Sequence, residues 1–432
     1  MQTTNKKITP EQALEYHLGG KIGLELIKEL KNDVDLSLAY TPGVAEACRA
    51  IEANPEDVFK YTAKNNLVAV VTDGTAVLGL GDIGPLASIP VMEGKAVLFK
   101  AFSGVDGWPV PLTGIRKDGD TGRSDPDAFI ETVARIAPMF GGINIEDVAA
   151  PECFEIEDRL RVKLDIPVFH DDQHGTAIIS YAGLENYLYL TGKKISDIKI
   201  VINGGGAAGI RIGELFRYAG AQNILMCDSR GVIHSGRTDL TEKKVSFACE
   251  TDCRTLGDVM NGADVFIGVS LPRLVTQDMV KSMAPDPAIF AMSNPEPEIM
   301  PELIVEARTD AYIATGRSDY PNQINNVLGF PFIFRGALDV RASEITMNMK
   351  IACAKALAEL TRKDVPGYIS EAYGGIELEF GRDYLIPKPF DRRVFVEAST
   401  AVAEAAMEDG VAGSPVDIEK YREELGRKFG GV

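Results

Sequence analysis

Apolar positions along the chain fall into short continuous runs, and longer stretches with helical spacing separate these runs. Continuous apolar runs of this kind predict parallel strands that helices cover on both faces. In the first part of the chain a charged residue begins or ends each of four runs, which are "NLVAVVTDG", "KAVLFKAFSG", "GGINIEDV" and "IPVFHDD". Because ligands of such folds bind outside the carboxyl ends of the strands, acidic residues at these ends are candidates for a functional site.

The two ends of the chain are predicted to be helical. Leucine and isoleucine recur at near-helical spacing over roughly residues 10–31, which predicts one amphipathic helix there. The stretch after about residue 340 contains "SEITMNMKIACAKALAEL" and "RRVFVEASTAVAEAAMED", both with strong helical character.

A glycine loop follows the strand that begins near residue 198. The loop is Gly204-x-Gly206-x-x-Gly209, with Ala207 and Ala208 at the start of the next helix. Its glycines allow a tight turn, a close approach of the backbone to a pyrophosphate, and close packing of helix on strand. The helix N-terminus stabilises the bound anion. Strand, loop and helix together predict a dinucleotide site.

The second strand of this unit ends at Asp228, about 20 residues after the loop, where this fold places the acid that contacts the ribose. A carboxylate there favours NAD, because it repels the 2′-phosphate of NADP. Arg230 and Arg237 follow closely and could hold that phosphate instead. The sequence therefore leaves both NAD and NADP open.

Further strands in "ADVFIGVS", "AIFAMSNP" and "AYIATG" complete this doubly wound unit. We therefore predict an α/β fold with three parts. An N-terminal catalytic domain over residues 1–165 has a small parallel sheet and helices, a Rossmann-type dinucleotide domain covers residues 166–395, and a helical tail covers residues 396–432.

Acidic pairs end two of the predicted strands in the first domain. A single acid at a strand end is more often a turn residue or a helix N-cap. Two adjacent pairs on two strands, Glu146-Asp147 and Asp171-Asp172, favour a shared site instead. Glu146, Asp147 and Asp172 offer the hard oxygen ligands that suit Mg²⁺ or Mn²⁺.

A zinc site is the alternative for "IPVFHDDQHGTAI", since His170 and His174 are four residues apart. Zinc motifs of that spacing need one helix through both histidines. The apolar run before His170 predicts a strand end there, and His174 is expected in a turn. This pattern favours the aspartates, rather than the histidines, as the functional residues of the segment.

Composition narrows the classes of protein further. The 432 residues suffice for roughly two to three domains. Acidic residues outnumber basic ones by 63 to 45, and the net charge of −18 disfavours nucleic acid and anionic membranes as partners. The segment "MQTTNKKITPEQ" has no signal-peptide core and no run approaches the ~20 apolar residues of a membrane span, so we expect a cytoplasmic protein with reduced cysteines.

Eight segments occur in a specific order: "AYTPGVAEAC", "VVTDGTAVLGLGDIGP", "EGKAVLFKAFSGVD", "INIEDVAAPECF", "PVFHDDQHGTA", "GGGAAG", "MSNPEPE" and "INNVLGFPFIFRGALDV". Over nearly the whole chain they resemble the malic enzymes, most closely the compact bacterial NAD(P)-dependent form. The resemblance implies oxidative decarboxylation of (S)-malate to pyruvate and CO₂ with reduction of NAD or NADP, and decarboxylation of oxaloacetate as well. It also implies a homodimer or higher homo-oligomer.

The resemblance implies roles for individual residues. Tyr40 matches the family's general acid, which protonates the enolpyruvate carbon. Lys95 matches the residue that takes the C2 hydroxyl proton or tunes its partner, and Asp171 matches a neighbouring acid in proton transfer. The other matches are the metal ligands Glu146, Asp147 and Asp172 and the substrate or nicotinamide contacts Asn294 and Asn326.

Two alternatives stay open at this point. A malolactic-type enzyme or plain oxaloacetate decarboxylase would retain the dinucleotide without net turnover, and a non-catalytic dinucleotide sensor would need neither the acid nor the metal. One departure from the family is that larger animal-type members carry an arginine for a substrate carboxylate where this chain has Thr75-Ala76.

Overall fold

The computed structural model describes residues 8–77, 79–118 and 121–429. The first seven residues, on which the expectation of a cytoplasmic protein partly rests, and the last three residues of the predicted tail lie outside the described residues. The first half of the chain forms α1 (Pro10–His17), α2 (Asp33–Ala39), α3 (Val44–Ala53), α4 (Val58–Tyr61), β1 (Leu67–Thr72), α5 (Gly84–Ser103), β2 (Asp106–Pro111), β3 (Arg116–Asp118), β4 (Thr121–Ser124), α6 (Pro126–Ile136), β5 (Gly142–Ile145), α7 (Glu152–Lys163), β6 (Val168–His170) and α8 (Asp171–Thr191).

The second half has the same alternation of strands and helices. It forms β7 (Lys199–Asn203), α9 (Ala207–Tyr218), β8 (Asn223–Asp228), β9 (Gly231–Val232), α10 (Glu242–Val245), α11 (Leu256–Met260), β10 (Val265–Gly268), α12 (Gln277–Ser282), β11 (Ala288–Ala291), α13 (Pro301–Ala307), β12 (Tyr312–Thr315), α14 (Phe330–Asp339), α15 (Met347–Thr361), α16 (Gly367–Ala372), α17 (Arg393–Glu408) and α18 (Ile418–Phe429). Short 3-10 turns occupy Pro55–Asp57, Ala63–Asn66, Ala137–Met139 and Asn326–Leu328.

The first sheet contains four parallel strands in the order β2-β1-β5-β6. Val71 lies beside Ile145, and Ile145 lies beside His170. Because these residues stand at or next to the carboxyl ends of their strands, the polar residues that follow them meet at one edge of the sheet. β3 and β4 form a separate antiparallel hairpin.

The second sheet has the order β12-β11-β10-β7-β8-β9, parallel throughout except for the short edge strand β9. The chain crosses from β7 outward through β8 and returns to β10 on the other side of β7. This reversal is the topological switch point of a Rossmann-type sheet, next to which dinucleotides bind. The predicted α/β class, Rossmann-type unit and helical C-terminal region are therefore confirmed, whereas the domain ranges 1–165, 166–395 and 396–432 stay a prediction.

An aromatic cluster joins the first sheet to the C-terminal helices. Phe99 of α5 packs edge-on against Phe330 and Phe334 of α14, with ring centroids 4.7 and 5.3 Å apart, and Phe334 also meets Phe169 of β6 at 5.8 Å. All four rings are fully buried, and burial of each such side chain contributes about 1.5–3 kcal/mol. This packing fixes α5, β6 and α14 relative to one another, and these elements carry or adjoin the site described below.

The predicted helix over residues 10–31 is wrong beyond α1. The helix ends because Gly19 and Gly20 both adopt φ of +80°, the left-handed region that glycine reaches without strain. Residues 21–32 are irregular, and Leu24 and Leu26 are about four-fifths exposed or more. The apolar spacing in this stretch therefore does not face a core of the same chain.

The run "KAVLFKAFSG" is not a strand, contrary to the sequence prediction. It forms the second half of α5, which ends at Gly104 with φ of +66°. A short apolar run has the same appearance in a buried helix and in a buried strand, because neighbouring elements cover the segment on several sides. Met92, Ala96 and Phe99 are buried at helical spacing.

No helix in the described part of the chain has both the length and the apolar character that crossing a bilayer would require.

Candidate active site

Three carboxylates meet at the carboxyl edge of the first sheet. The backbone N–H of Glu146 donates to Val71 O at 2.9 Å, which continues the pairing of β1 and β5 past the last strand residue. Side-chain oxygens of Glu146, Asp147 and Asp172 all lie within 4.8 Å of one another. The strand register thus produces the cluster that the acidic pairs predicted.

The backbone around Asp147 has an unusual conformation. Its φ is +52°, a left-handed value that aspartate adopts more readily than most residues. In this conformation its N–H donates to Asp172 Oδ2 at 2.8 Å, and its carbonyl accepts from the N–H of Ala76 at 3.0 Å. Asp172 lies in the first turn of α8, where the helix dipole favours negative charge.

Lys95 of α5 reaches this cluster from the neighbouring helix. Its Nζ lies 2.8 Å from Glu146 Oε1 and 2.5 Å from Asp171 Oδ2, and 4.3 Å from the centre of the Phe330 ring. Burial alone would lower the pKa of Lys95, but the nearby carboxylates outweigh it and raise that pKa. Burial raises the pKa of Glu146 well above its usual value, while Lys95 opposes the shift.

Asp171 is held by partners on two other elements, and one of these partners is itself held by Thr176. Besides Lys95, the amide of Asn326 donates to Asp171 Oδ2 at 2.9 Å, and the hydroxyl of Thr176 donates to Asn326 Oδ1 at 3.0 Å. Gly175 lies one helical turn after Asp171 in α8, and a Cβ atom on Gly175 would be 2.2 Å from Asp171 Oδ1. The absence of a side chain at Gly175 therefore leaves room for the position of Asp171, a requirement that the sequence did not reveal.

A cleft of about 1,200 Å³ joins the carboxylates to the second sheet. Its lining includes Lys95, Glu146, Asp147 and Asp172 from the first part of the chain, and Ala207, Ala208, Asn294 and Asn326 from the second. Two sites that the sequence predicted separately are therefore parts of one cavity.

The glycine loop has the conformation that a dinucleotide requires. Gly204 has φ of +134°, and a Cβ there would lie 2.6 Å from Val269 O. A Cβ on Gly209 would lie 1.8 Å from Gly204 O, so only glycine allows this packing of α9 on the loop. Gly206 faces open space and precedes the first turn of α9, whose N–H groups are available to a pyrophosphate.

Comparison with known proteins decides the family. A family model described as malic enzyme, N-terminal domain, matches residues 20–161, and one described as malic enzyme, NAD binding domain, matches residues 173–370. The chain belongs to the malic enzyme family. It is 53% identical to an NADP-dependent malic enzyme of Halomonas elongata, over 94% of this chain and 95% of that protein.

Other malic enzymes extend the comparison. A bifunctional malic/malolactic enzyme of Bacillus subtilis is 52% identical, over 96% of this chain and 97% of that protein. The crystal structure of malic enzyme from Pyrococcus horikoshii superposes with a TM-score of 0.88 at 42% identity, covering 97% of this chain and 95% of that one. The chain spans about half the length of several other curated relatives, 54% in one case and 55% in another.

In this member of the malic enzyme family, the carboxylate of Asp228 at the end of β8 is paired with two cationic side chains. Asp228 accepts hydrogen bonds from Arg237 Nη1 at 2.8 Å and from Lys244 Nζ at 2.6 Å. Partial burial alone would raise the pKa of Asp228, but the hydrogen bonds from these two cations outweigh it and lower that pKa to about 2. The sequence did not point to Lys244, because it lies 16 residues after Asp228 on the separate helix α10.

Arg230 contributes through its backbone. Its N–H donates to Asp228 Oδ1 at 2.9 Å, while its guanidinium bonds Asp239 at 2.8 Å and is 70% exposed. The predicted cofactor residues thus lie together around the loop, with Arg237 and Lys244, rather than the side chain of Arg230, against the acid.

Of the predicted catalytic residues, Lys95 lines the cleft, Asp171 is buried in contact with Lys95, and Tyr40 lies away from both. It follows α2, its side chain is 70% exposed, and it is not among the described residues that line the cavity. Tyr16, at the end of α1, does line it. The fold of one chain therefore brings Lys95 and Asp171 together without Tyr40.

The two histidines do not form the helical pair that a zinc motif of their spacing needs. His170 ends β6, as predicted, but His174 lies inside α8 and not in a turn, because α8 already begins at Asp171. His174 Nε2 lies 2.7 Å from Glu157 Oε1, and Lys350 Nζ lies 3.0 Å from its Nδ1. Burial lowers the pKa of His174 to about 3, so a neutral ring belongs to a buried network behind the cleft.

Proposed function

We propose that this chain catalyses the divalent-metal-dependent oxidative decarboxylation of (S)-malate to pyruvate and CO₂, with reduction of NAD or NADP. One observation carries the proposal: a single cleft is lined by the carboxylate cluster and Lys95, whose partner is the buried Asp171, and by Ala207 and Ala208, which follow the glycine loop. A hydroxy acid bound between them would present its C2 hydrogen to a nicotinamide. Production of reduced cofactor and pyruvate from malate tests the proposal.

Glu146, Asp147 and Asp172 would hold Mg²⁺ or Mn²⁺. Oxygen ligands within 4.8 Å of one another suit a hard cation, and Lys95 supplies only one positive charge against four neighbouring carboxylates. When bound, the ion supplies electron withdrawal from the C2 oxygen and stabilisation of the enolate that forms as CO₂ leaves.

Lys95 and Asp171 would receive the proton of the C2 hydroxyl as hydride leaves. Their contact of 2.5 Å lets them act as one unit, and the amide of Asn326 donates to the same carboxylate oxygen. Asn294 and Asn326 line the cleft between the two sheets, where they can contact substrate or nicotinamide. Tyr40 would supply the proton to the enolpyruvate carbon afterwards, since a phenolic O–H can act as a general acid.

We propose a preference for NADP. Asp228 would repel the 2′-phosphate on its own, but Arg237 and Lys244 both bind it. A Cβ on Gly205 would lie 3.2 Å from Lys244 Cε, so the lysine stands over the glycine loop. Arg230, Arg237 and Lys244 together face only two carboxylates, those of Asp228 and Asp239, and this net positive charge favours a phosphate.

Lys244→Ala is expected to reduce the preference for NADP over NAD by about tenfold, the equivalent of one charge contact of ~1.4 kcal/mol. Asp228→Ala should move the preference in the opposite direction, because it removes a negative charge and the carboxylate that Lys244 binds. The measurement is kcat/KM with each cofactor. Lys243→Ala is the matched control, since Lys243 binds Asp158 at 2.8 Å and not Asp228; an equal shift in that variant would refute the assignment of Lys244.

Gly175→Ala is expected to lower kcat by roughly 10²-fold, because the new methyl group would displace Asp171 from Lys95 and small misplacements have effects of this size. Dinucleotide binding, measured by quenching of reduced-cofactor fluorescence, should not change. Gly426→Ala is the control, since a Cβ at that helical position meets no atom within 4 Å. Normal kcat in Gly175→Ala would show that the position of Asp171 does not matter.

A malolactic-type reaction is the second candidate, and the observation that favours it is the relative named a bifunctional malic/malolactic enzyme. The two reactions differ in whether reduced cofactor is released as a product. Release of one reduced cofactor per pyruvate supports the malic reaction, whereas lactate without net reduced cofactor supports the malolactic one.

We also propose a homodimer or higher homo-oligomer in the cytoplasm. Support for an oligomer comes from large apolar side chains exposed near the N-terminus, among them Leu18, Leu24 and Ile27. The cytoplasmic location remains a prediction from the sequence.

A further inference from the structure

His170 is a fully buried histidine, and neither of its ring nitrogens has a hydrogen-bond partner among the described residues. It is the last residue of β6, where it pairs with Ile145 of β5, and it directly precedes the first turn of α8. Buried polar groups without a partner are rare in folded proteins and usually have a functional reason. The mechanism proposed above gives this ring no role.

The ring faces one of the proposed metal ligands. His170 Nδ1 lies 3.7 Å from Asp172 Oδ2, just beyond the length of a hydrogen bond. The same oxygen accepts the backbone N–H of Asp147 at 2.8 Å. Because both contacts involve Oδ2, the oxygen of Asp172 that remains for an ion is Oδ1.

A second buried polar side chain supports another of these ligands. Asn144 of β5 is fully buried, and its Nδ2 donates to Glu146 Oε2 at 2.9 Å, whereas Lys95 lies 2.8 Å from Oε1. In the pairing of β5 with β6, His170 lies beside the residue that follows Asn144. Since successive residues of a strand point to opposite faces, the two side chains approach the carboxylates from the two faces of the sheet.

The charges around His170 determine which ring nitrogen carries the proton. A neutral imidazole has one N–H and one lone pair. A lone pair on Nδ1 would face an anionic oxygen of Asp172 and repel it, whereas an N–H on Nδ1 is attracted to that oxygen. His174 has the opposite arrangement, because its Nε2 faces Glu157 Oε1 at 2.7 Å and its Nδ1 faces Lys350 Nζ at 3.0 Å.

We infer that His170 and Asn144 are positioning residues of the metal site: the Nδ1–H of His170 holds the carboxylate of Asp172, and the amide of Asn144 holds that of Glu146. The inference rests on the proposed metal ligands. A carboxylate that is held through one oxygen presents the other oxygen to the ion in a fixed direction. Partners of this kind typically contribute 10–100-fold to metal affinity. Neither side chain is itself a ligand, so loss of either lowers affinity and leaves the requirement for metal intact.

Binding of Mn²⁺ to the enzyme, measured by calorimetry in the absence of malate, tests the role of His170. His170→Phe keeps a buried ring but lacks the donor, so its Kd for Mn²⁺ should rise by about 10–100-fold. His170→Asn should restore most of the affinity, because its amide nitrogen can occupy the place of Nδ1. Wild-type affinity in His170→Phe, or no recovery in His170→Asn, would overturn this role.

Asn144→Leu removes the donor to Glu146 with little change in volume, and a rise in Kd of the same size is expected. Thr361→Val is the matched control. The buried hydroxyl of Thr361 donates to Leu357 O at 2.7 Å within α15, which carries none of the ligands. An equal rise in Thr361→Val would mean that any lost buried hydrogen bond weakens the site, and the inference would be wrong.

Nitrogen NMR of the Mg²⁺-loaded enzyme with isotope-labelled histidine supplies a test on the wild-type chain. The chain has four histidines, and loss of one signal in His170→Asn identifies that of His170. We expect His170 to be protonated at Nδ1, and His174 at Nε2. Protonation of His170 at Nε2 alone would overturn the inference even if no variant at this position folds.

Failure of the proposed function gives different results. If the wild-type enzyme does not bind Mn²⁺, or if Asp172→Ala binds it as tightly as wild type, the assignment of the ligands fails and the inference fails with it. If the wild-type enzyme binds Mn²⁺ and produces reduced cofactor from malate, while His170→Phe and Asn144→Leu bind Mn²⁺ with unchanged Kd, the proposed function stands and only the inference is overturned.

Discussion

Asp172→Ala is expected to lose at least about 10³-fold in malate turnover, even at high Mn²⁺. The variant lacks one of the three carboxylates that would hold the ion, and the acceptor for the N–H of Asp147 is lost as well. Electron withdrawal by the ion is worth several kcal/mol at the transition state, and about 4 kcal/mol corresponds to 10³-fold in rate.

Two readouts accompany that variant. Mn²⁺ binding, followed by calorimetry, should weaken in Asp172→Ala, whereas dinucleotide binding should persist. Asp165→Ala is the matched control, because Asp165 is an exposed acid before the amino end of β6, the strand that Asp172 follows on the opposite side. Near wild-type malate oxidation by Asp172→Ala would contradict the assignment of the metal ligands.

Tyr40→Phe and Lys95→Ala are expected to interrupt different steps. Tyr40→Phe should still oxidise malate and release CO₂, but protonation of the enol carbon should slow by 10²–10⁴-fold, the usual contribution of a positioned general acid. Lys95→Ala should block the first step, because the C2 hydroxyl proton loses the Lys95–Asp171 pair as acceptor.

Partitioning of oxaloacetate separates the two variants. Each is given oxaloacetate with reduced cofactor, and malate and pyruvate are measured. Tyr40→Phe should favour malate, since reduction needs no proton at carbon, and Lys95→Ala should lose reduction at least as severely as decarboxylation. Equal partitioning in both would mean that the residues act as one coupled acid–base unit, which would contradict this division of steps.

The strands were predictable because a strand that is buried on both faces has apolar residues at successive positions. β1, β5 and β6 are short apolar runs, and β7 with its glycine loop has a spacing that few other structures produce. The same pattern wrongly predicted a strand beginning at Lys95. This segment is the second half of the buried helix α5, and its apolar run has the same appearance as that of a buried strand. Local apolar pattern predicts burial more reliably than it predicts the type of element.

The carboxylate cluster was predictable because the ends of parallel strands meet at one edge, so acids far apart in the chain are brought together by register alone. Lys244 was not predictable, since its contact with Asp228 depends on the path of the chain between β9 and α10. Gly175 was missed because its significance is a clash with Asp171 that only the three-dimensional packing of α8 reveals.

The N-terminal segment illustrates a different limit. The leucine spacing over roughly residues 10–31 predicted one amphipathic helix, but the helix ends at His17 and the described residues bury none of these leucines. A sequence pattern cannot state whether its partner surface belongs to the same chain or to another copy.

The most direct test of the central claim is an assay of the wild-type chain with (S)-malate, Mn²⁺ and either NAD or NADP, in which absorbance of the reduced cofactor and pyruvate are followed together. We predict one reduced cofactor for each pyruvate, faster with NADP than with NAD, and no reaction when a chelator removes the metal. Formation of oxaloacetate or lactate in place of pyruvate, or full activity in the presence of the chelator, would contradict the proposed function.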